Sequence, residues 1–166
     1  MSITTAAPAA TAPVALVAAV LTLLTAGAMA GLFLGFSVAV MPGLDSLDPE
    51  AAADAMRRVN ERILNPLFLS AFTTVPLTAG AAGGLLLWLG HRAAGWAFLL
   101  AAVVYLLGTF LPTAAVNVPL NDALAAGGTW SDYSPRWTTW NTVRAAFATL
   151  TLLLSAGGLC LWSRDA

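Results

Sequence analysis

The sequence predicts an all-α integral membrane protein: a four-helix bundle with an amphipathic helix in its first long loop. Three observations carry this. Of the 166 residues, 59% are hydrophobic and only 9% are charged, where a soluble domain would have about a quarter charged, and mean hydropathy is +0.82. Four windows approach or exceed the stretch of about 20 apolar residues that a bilayer-crossing helix needs. The connections between them run long, short, long, so the N-terminus, the His91 turn and the C-terminus share one side and the two long connections share the other.

Composition also excludes function classes. A net charge of −1 without a basic patch argues against nucleic acid as a partner. One cysteine, Cys160, excludes an internal disulfide and a multi-thiolate metal site. One histidine, His91, excludes a multi-His metal centre or a bis-His haem. The expectation is a protein that works without a metal or other cofactor, in a lipid bilayer, with a bacterial cytoplasmic membrane as the expected location.

Met1 to Pro13 is uncharged and rich in Ala, Thr and Pro, and reads as a disordered lead-in to a single domain over residues 14–162. It has no basic n-region, which argues against a cleaved signal peptide, although an Ala-rich export signal stays open. Val14 to Val40 is the first span. Its Gly27, Gly31 and Gly35 recur every four residues, a small-residue stripe that lets another helix approach closely, either within the bundle or in a homo-oligomer. Met41-Pro42-Gly43-Leu44 ends this span.

In the connection, Asp48 followed by Pro49 reads as an N-cap and first helical residue. Ala52, Met56, Val59 and Ile63 then share a face, which predicts an amphipathic helix on or near the membrane surface. Its charges nearly cancel and permit local pairs such as Asp54 with Arg58. Pro66 to Leu89 is the second span and Gly90-His91-Arg92-Ala93 a hairpin turn. Ala94 to about Val116 is the third span, with a kink expected at Pro112, which cannot donate to the carbonyl of Gly108. Thr109, Thr113, Asn117 and Asn121 form an i, i+4 polar stripe at its end. Asn121 to Pro135 reads as a loop or broken helix, and Trp137 to Trp162 as the fourth span. Orientation stays open: a plain count of arginines puts the long loops in the cytoplasm, whereas Arg92 and Arg164, the least neutralised charges, tip the balance slightly the other way.

The candidate site follows from Arg144. Everything from Ala145 to Trp162 is apolar or small, so this cation is sunk in a membrane helix. Such a residue costs at least ~2.5 kcal/mol at the bilayer centre and usually faces a bundle interior or a watered cavity. Asn141, Trp140 and Trp137 lie three, four and seven residues before it, on one helical face. With the stripe of Thr113, Asn117 and Asn121, and with Asn60 and Asn65 from the first long connection, they compose a polar pocket at the long-loop side. Bland readings stand beside this one. Trp130, Tyr133, Trp137 and Trp140 would serve as interfacial anchors, the asparagines as cross-helix hydrogen bonds, and Arg144 as a group that snorkels or pairs with Glu61, Asp122 or Asp132.

Met41-Pro42-Gly43-Leu44, the loop Val59-Asn60-Glu61-Arg62-Ile63-Leu64-Asn65-Pro66-Leu67-Phe68, the segment Asn117-Val118-Pro119-Leu120-Asn121, and Trp137 with Trp140-Asn141-x-x-Arg144 together resemble the anthrone oxygenase family of small four-helix membrane proteins. The resemblance covers roughly Val14 to Trp162. It implies the four-helix fold and a cofactor-independent oxidation of an anthrone to an anthraquinone by O2, as in fungal polyketide tailoring, on a lipophilic substrate drawn from the bilayer. It supplies no established catalytic residues. On chemical grounds Arg144, with Asn117, Asn121 or Asn141, would stabilise an enolate oxygen. Trp137 and Trp140 would stack on the rings, with Asn60, Asn65 and Thr113 completing the pocket. Asp122 or Glu61 would be the general base. The alternative is a non-enzymatic membrane module for binding, assembly or small-solute permeation.

Overall fold

The computed structural model describes residues 11–165, so most of the expected lead-in, residues 1–10, lies outside the described residues. Among the described residues four helices are long and apolar enough to cross a membrane, which makes this an integral membrane protein: α1 (Thr11–Asp45), α3 (Pro66–Trp88), α4 (Arg92–Ala125) and α5 (Trp130–Asp165). The amphipathic α2 (Pro49–Ile63) joins α1 to α3, and no strand occurs among the described residues. Each spanning helix packs against two neighbours in the cyclic order α1, α3, α4, α5, so the bundle closes on itself.

The distribution of side-chain size explains why the helices associate without a hydrophobic gradient to drive them. Ala15, Ala18, Ala19, Ala26, Ala30, Ala79 and Ala82 are buried, while Leu16, Val17, Leu24, Leu77 and Leu107 are exposed. Small residues inside let backbones approach, and large ones outside meet lipid. The closest backbone approach is not at the predicted glycine stripe. A Cβ placed on Gly31 or Gly35 would have nothing within 4 Å. Instead, a Cβ on Gly83 would lie 2.9 Å from the carbonyl oxygen of Gly95, which fixes the α3–α4 contact, and one on Gly108 would lie 2.5 Å from the Cβ of Phe147, which fixes the α4–α5 contact.

Three boundaries differ from the sequence reading. The first helix already includes Thr11 to Pro13 and continues through Met41-Pro42-Gly43 to Asp45, because a proline early in a helical segment loses no required donor when the preceding turn has widened. Of the two alternatives for Asn121 to Pro135, the broken helix is the one observed, and the fourth spanning helix starts at Trp130 rather than Trp137: α4 runs to Ala125, Gly127 adopts φ +96° to turn the chain, and Thr129 caps α5 by accepting from the Asp132 backbone N–H at 3.3 Å. Arg144 is therefore about four turns inside α5. On α2, Asp48 caps the helix as predicted, its side chain accepting from the Glu50 N–H at 3.0 Å. Asp54, however, pairs with Arg57 one residue earlier than expected.

α2 does more than float at the surface. Ala52, Ala53 and Met56 are buried against Met41, Leu124, Trp130, Tyr133 and Trp137, and Arg57 Nε donates to the Leu124 carbonyl at 3.0 Å. It therefore caps the long-loop end of the bundle. Trp130 and Tyr133, read as interfacial anchors, are buried in this cap. The Trp130 indole donates to Asp45 Oδ1 at 2.8 Å, and Ser134 donates to the same oxygen at 2.7 Å, which latches the end of α1 to the start of α5.

The glycine contacts generate a paired prediction. Gly108→Ala should destabilise the bundle by about 1–3 kcal/mol, because the Cβ of Phe147 is not a flexible tip that can swing away. Gly31→Ala should change stability by less than about 1 kcal/mol. Reversible unfolding in mixed micelles compares them, and equal effects would contradict this assignment of the close contacts.

Candidate functional site

The site lies at the long-loop end of the bundle, between the central core around Phe33, Phe72 and Tyr105 and the cap built by α2. Three widened, π-helical turns surround it: Phe36–Val40 in α1, and Leu106–Phe110 and Thr113–Asn117 in α4. Each ends two residues before a proline, namely Pro42, Pro112 and Pro119. A proline lacks the N–H that would bond to the carbonyl four residues back, and its ring crowds that carbonyl. The freed carbonyls belong to Val38, Gly108 and Ala115, all within the widened turns. Proline alone is not sufficient, since Pro76 sits in unbroken α-helix in α3.

The widened turns have a consequence for the polar stripe. In a regular α-helix, residues four apart drift by about 40° per step. An i→i+5 turn takes up more residues and cancels part of that drift. All four stripe residues consequently meet α5. Thr109 Oγ1 donates to the Arg144 carbonyl at 3.4 Å, and Thr113 Oγ1 accepts from Arg144 Nη1 at 3.1 Å. Asn117 Nδ2 donates to the Trp137 carbonyl at 3.3 Å, and Asn121 Oδ1 accepts from the Tyr133 hydroxyl at 2.8 Å.

Arg144 itself is only 5% exposed and faces the bundle interior. Its Nη2 donates to Asn141 Oδ1 at 2.9 Å. The guanidinium carbon lies 4.6 Å from the Phe33 ring centroid and 5.3 Å from that of Trp137, so the cation sits between two aromatic faces. Asn141 Nδ2 in turn donates to the Phe33 carbonyl and to Ser37 Oγ, both at 2.7 Å, which ties the arrangement to α1. No carboxylate pairs with Arg144: among the described residues the one ion pair is Arg57 with Asp54, on α2. The suggested partners Glu61, Asp122 and Asp132 do not reach it.

Beside the guanidinium is a narrow cleft with room for about 80 Å³, below the range of about 300–1,000 Å³ usual for small-molecule sites, so a fused-ring ligand has to part its walls. Of the residues picked from sequence, Asn60, Thr113, Asn117, Asn121, Trp137, Asn141 and Arg144 line it. Glu61 and Asp122 line a second cleft next to it, which shares Asn60 and Asn121 with the first. Two residues fall elsewhere. Asn65 caps α3, accepting from the Phe68 N–H at 3.0 Å. Trp140 is 39% exposed on the outer surface; neighbouring residues on a helix point about 100° apart, so it cannot face inward together with Asn141. The apolar walls, Leu32, Phe33, Phe36, Met56, Ile63 and Phe68, escaped the sequence reading. In an apolar span nothing marks the residues that border a cleft, although Met56 and Ile63 did carry the α2 periodicity.

Fold and site together define a class: a four-helix integral membrane protein with an inward-facing, unpaired cation beside an apolar cleft. The family model for anthrone oxygenase matches residues 66–154, more than half of the chain, and the protein belongs to that family. The match spans α3, α4 and most of α5, and so includes the polar stripe and Arg144 but not α1 or α2. No curated protein and no solved structure is detectably similar.

Because Asn141 holds both Arg144 and the α1 backbone, Asn141→Ala should destabilise the protein by about 1–3 kcal/mol, the effect of orphaning buried donors. Thermal unfolding in micelles measures it. A loss well under 1 kcal/mol would mean that the guanidinium does not depend on this amide.

Proposed function

We propose that the protein is a membrane-embedded, cofactor-independent oxygenase that uses O2 to oxidise a lipophilic, anthrone-like phenolic substrate. The observation that carries this is the unpaired Arg144 guanidinium beside an apolar cleft, in a chain of the anthrone oxygenase family. A methylene flanked by aryl rings and conjugated to a carbonyl is acidic, and once a proton leaves it the electron-rich ring system reduces O2 directly. The carbon–oxygen bond that forms gives a hydroperoxide. Loss of the second methylene hydrogen as a proton, with cleavage of the O–O bond, leaves a carbonyl and releases water. One oxygen atom ends in product and the other in water, and the methylene carbon supplies all the electrons.

The residues divide this work by what they have free. Asn141 is fully engaged as donor and acceptor, and Thr113 donates to the Thr109 carbonyl at 2.7 Å while accepting from Arg144, so both act as positioning residues. Asn121 accepts from Tyr133. The groups left to meet a developing oxyanion are Arg144 Nε, Trp137 Nε1 and Asn60 Nδ2, which have no hydrogen-bond partner in the protein. In a site of low dielectric such donors are worth far more than in water. Glu61 and Asp122, in the adjoining cleft, are the candidate bases, with Asn60 and Asn121 between them and the Arg144 slot. Phe33, Phe36 and Trp137 offer aromatic faces to a fused-ring substrate.

Purified protein in lipid nanodiscs, supplied with anthrone and air, should form anthraquinone with matching O2 uptake. Arg144→Met should lower kcat by about 10²–10³-fold, the usual consequence of losing an oxyanion donor. Wild-type turnover in the folded variant would refute the proposal.

A further inference from the structure

Four polar side chains in the bundle are at least nine-tenths buried yet have an atom with no hydrogen-bond partner, and three of them line the same cleft: Arg144 through Nε, Trp137 through Nε1 and Asn117 through Oδ1. The fourth, Tyr105, lies in the central core. Buried polar groups are normally satisfied, so three orphans on one cleft point to a ligand. They also lie close together. The guanidinium carbon of Arg144 is 5.3 Å from the Trp137 ring centroid, and the Asn117 amide nitrogen donates to the Trp137 carbonyl at 3.3 Å. That last bond fixes the orientation of Asn117, because a carbonyl can only accept. Its Nδ2 must face Trp137, and Oδ1 is left as the acceptor.

The free set on these three side chains is therefore two N–H donors and one carbonyl acceptor; Asn60 Nδ2, on a part-buried residue of the same cleft, is a further free donor. Of the oxygen groups a phenolic substrate or its keto form can present, the hydroxyl is the one that complements all three, since its oxygen accepts twice and its hydrogen is donated once. A ketone or an ionised oxygen accepts from Arg144 and Trp137 but leaves Asn117 Oδ1 facing it without a hydrogen. On the proposed function, on which this step rests, the distinction selects a tautomer. An anthrone carries a ketone; its enol, formed when the methylene carbon gives up a proton and the oxygen takes one, carries a hydroxyl. We infer that the cleft binds its aromatic substrate through a neutral hydroxyl held between Asn117 as acceptor and Arg144 and Trp137 as donors, and so recruits the enol form for reaction with O2. Asn117 is then a specificity-determining residue, and its amide is not an oxyanion donor as the sequence suggested.

The test uses redox-silent probes and the intact protein in nanodiscs, with empty nanodiscs as the blank for partitioning. 1-Naphthol presents an aromatic hydroxyl, 1-tetralone a ketone on the same bicyclic frame, and 1-methoxynaphthalene an oxygen that only accepts. Calorimetric titration should show 1-naphthol binding about 10- to 100-fold more tightly than either of the others, the discrimination expected when a buried partner is left unpaired. In Asn117→Leu the preference should fall to about threefold or less. Equal binding of the three probes by the wild type, or no binding of any, overturns the inference, and this result needs no variant to fold. A preference that survives in a folded Asn117→Leu protein overturns it as well. Anthrone turnover without a hydroxyl preference would leave the oxygenase reading standing while this one falls. A hydroxyl preference without turnover would do the reverse for substrate recognition.

Discussion

A guanidinium without a counter-ion, buried among membrane helices, is the constraint on which the polar end of this bundle depends. Removing such a charge from water carries a penalty of several kcal/mol even after relaxation, and no carboxylate offsets it. The compensation is spread over three helices: α4 offers the Thr113 hydroxyl, α5 the Asn141 amide oxygen and the Trp137 ring, and α1 the Phe33 ring. None is strong alone. Together they fix the cation in one place and require the three helices to meet there. A structural ion pair would have filled the cation's remaining valence with protein; this arrangement leaves Nε for something else.

The backbone makes that meeting possible. Polar residues spaced by four would spiral off the α4–α5 seam in a regular α-helix, and the last would face lipid. The two widened turns of α4, each just before a proline, hold Thr109, Thr113, Asn117 and Asn121 against α5 instead. In α1 the same device shapes the backbone beside Ser37, whose hydroxyl meets Asn141. Irregular backbone is tolerated at membrane depth where it is buried in protein or lines a cavity, and two of the three turns line this one, through Phe36 and through Thr113 and Asn117.

Much of this was legible in the chain because membrane helices announce themselves through unbroken apolar length, and because Asp48-Pro49 and the spacing of Ala52, Met56, Val59 and Ile63 are local signals. The inward direction of Arg144 and its company with Asn117 and Asn141 were also readable, since burying a cation in lipid demands such partners. What failed was anything set by tertiary context. Pro42 read as the end of the first span, yet the widened turn before it carries the helix on to Asp45, and Pro135 sits inside α5 without ending it. Trp130 and Tyr133 read as anchors because interfacial and buried aromatics look alike in sequence, and only the Asp45 and Asn121 partners distinguish them. The Gly27, Gly31 and Gly35 stripe looked more regular than the scattered Gly83, Gly95 and Gly108, yet within one chain it is the scattered ones that meet another helix closely.

The division of the cleft between elements bears on what it selects. Its hydrogen-bonding groups come mostly from α4 and α5, inside the family match, whereas Leu32, Phe33, Phe36 and Met56 come from α1 and α2, outside it. Polar groups discriminate functional groups steeply, because an unmet buried partner is penalised, while apolar walls discriminate size only weakly per methylene. On the proposed function, the chemistry at the oxygen is thus set by the stripe and Arg144, and the shape of the ring system by the first two helices. The Asp45 latch to Trp130 and Ser134 and the Arg57 bond to Leu124 then matter to substrate choice, because they hold the walls of the cleft against its polar side.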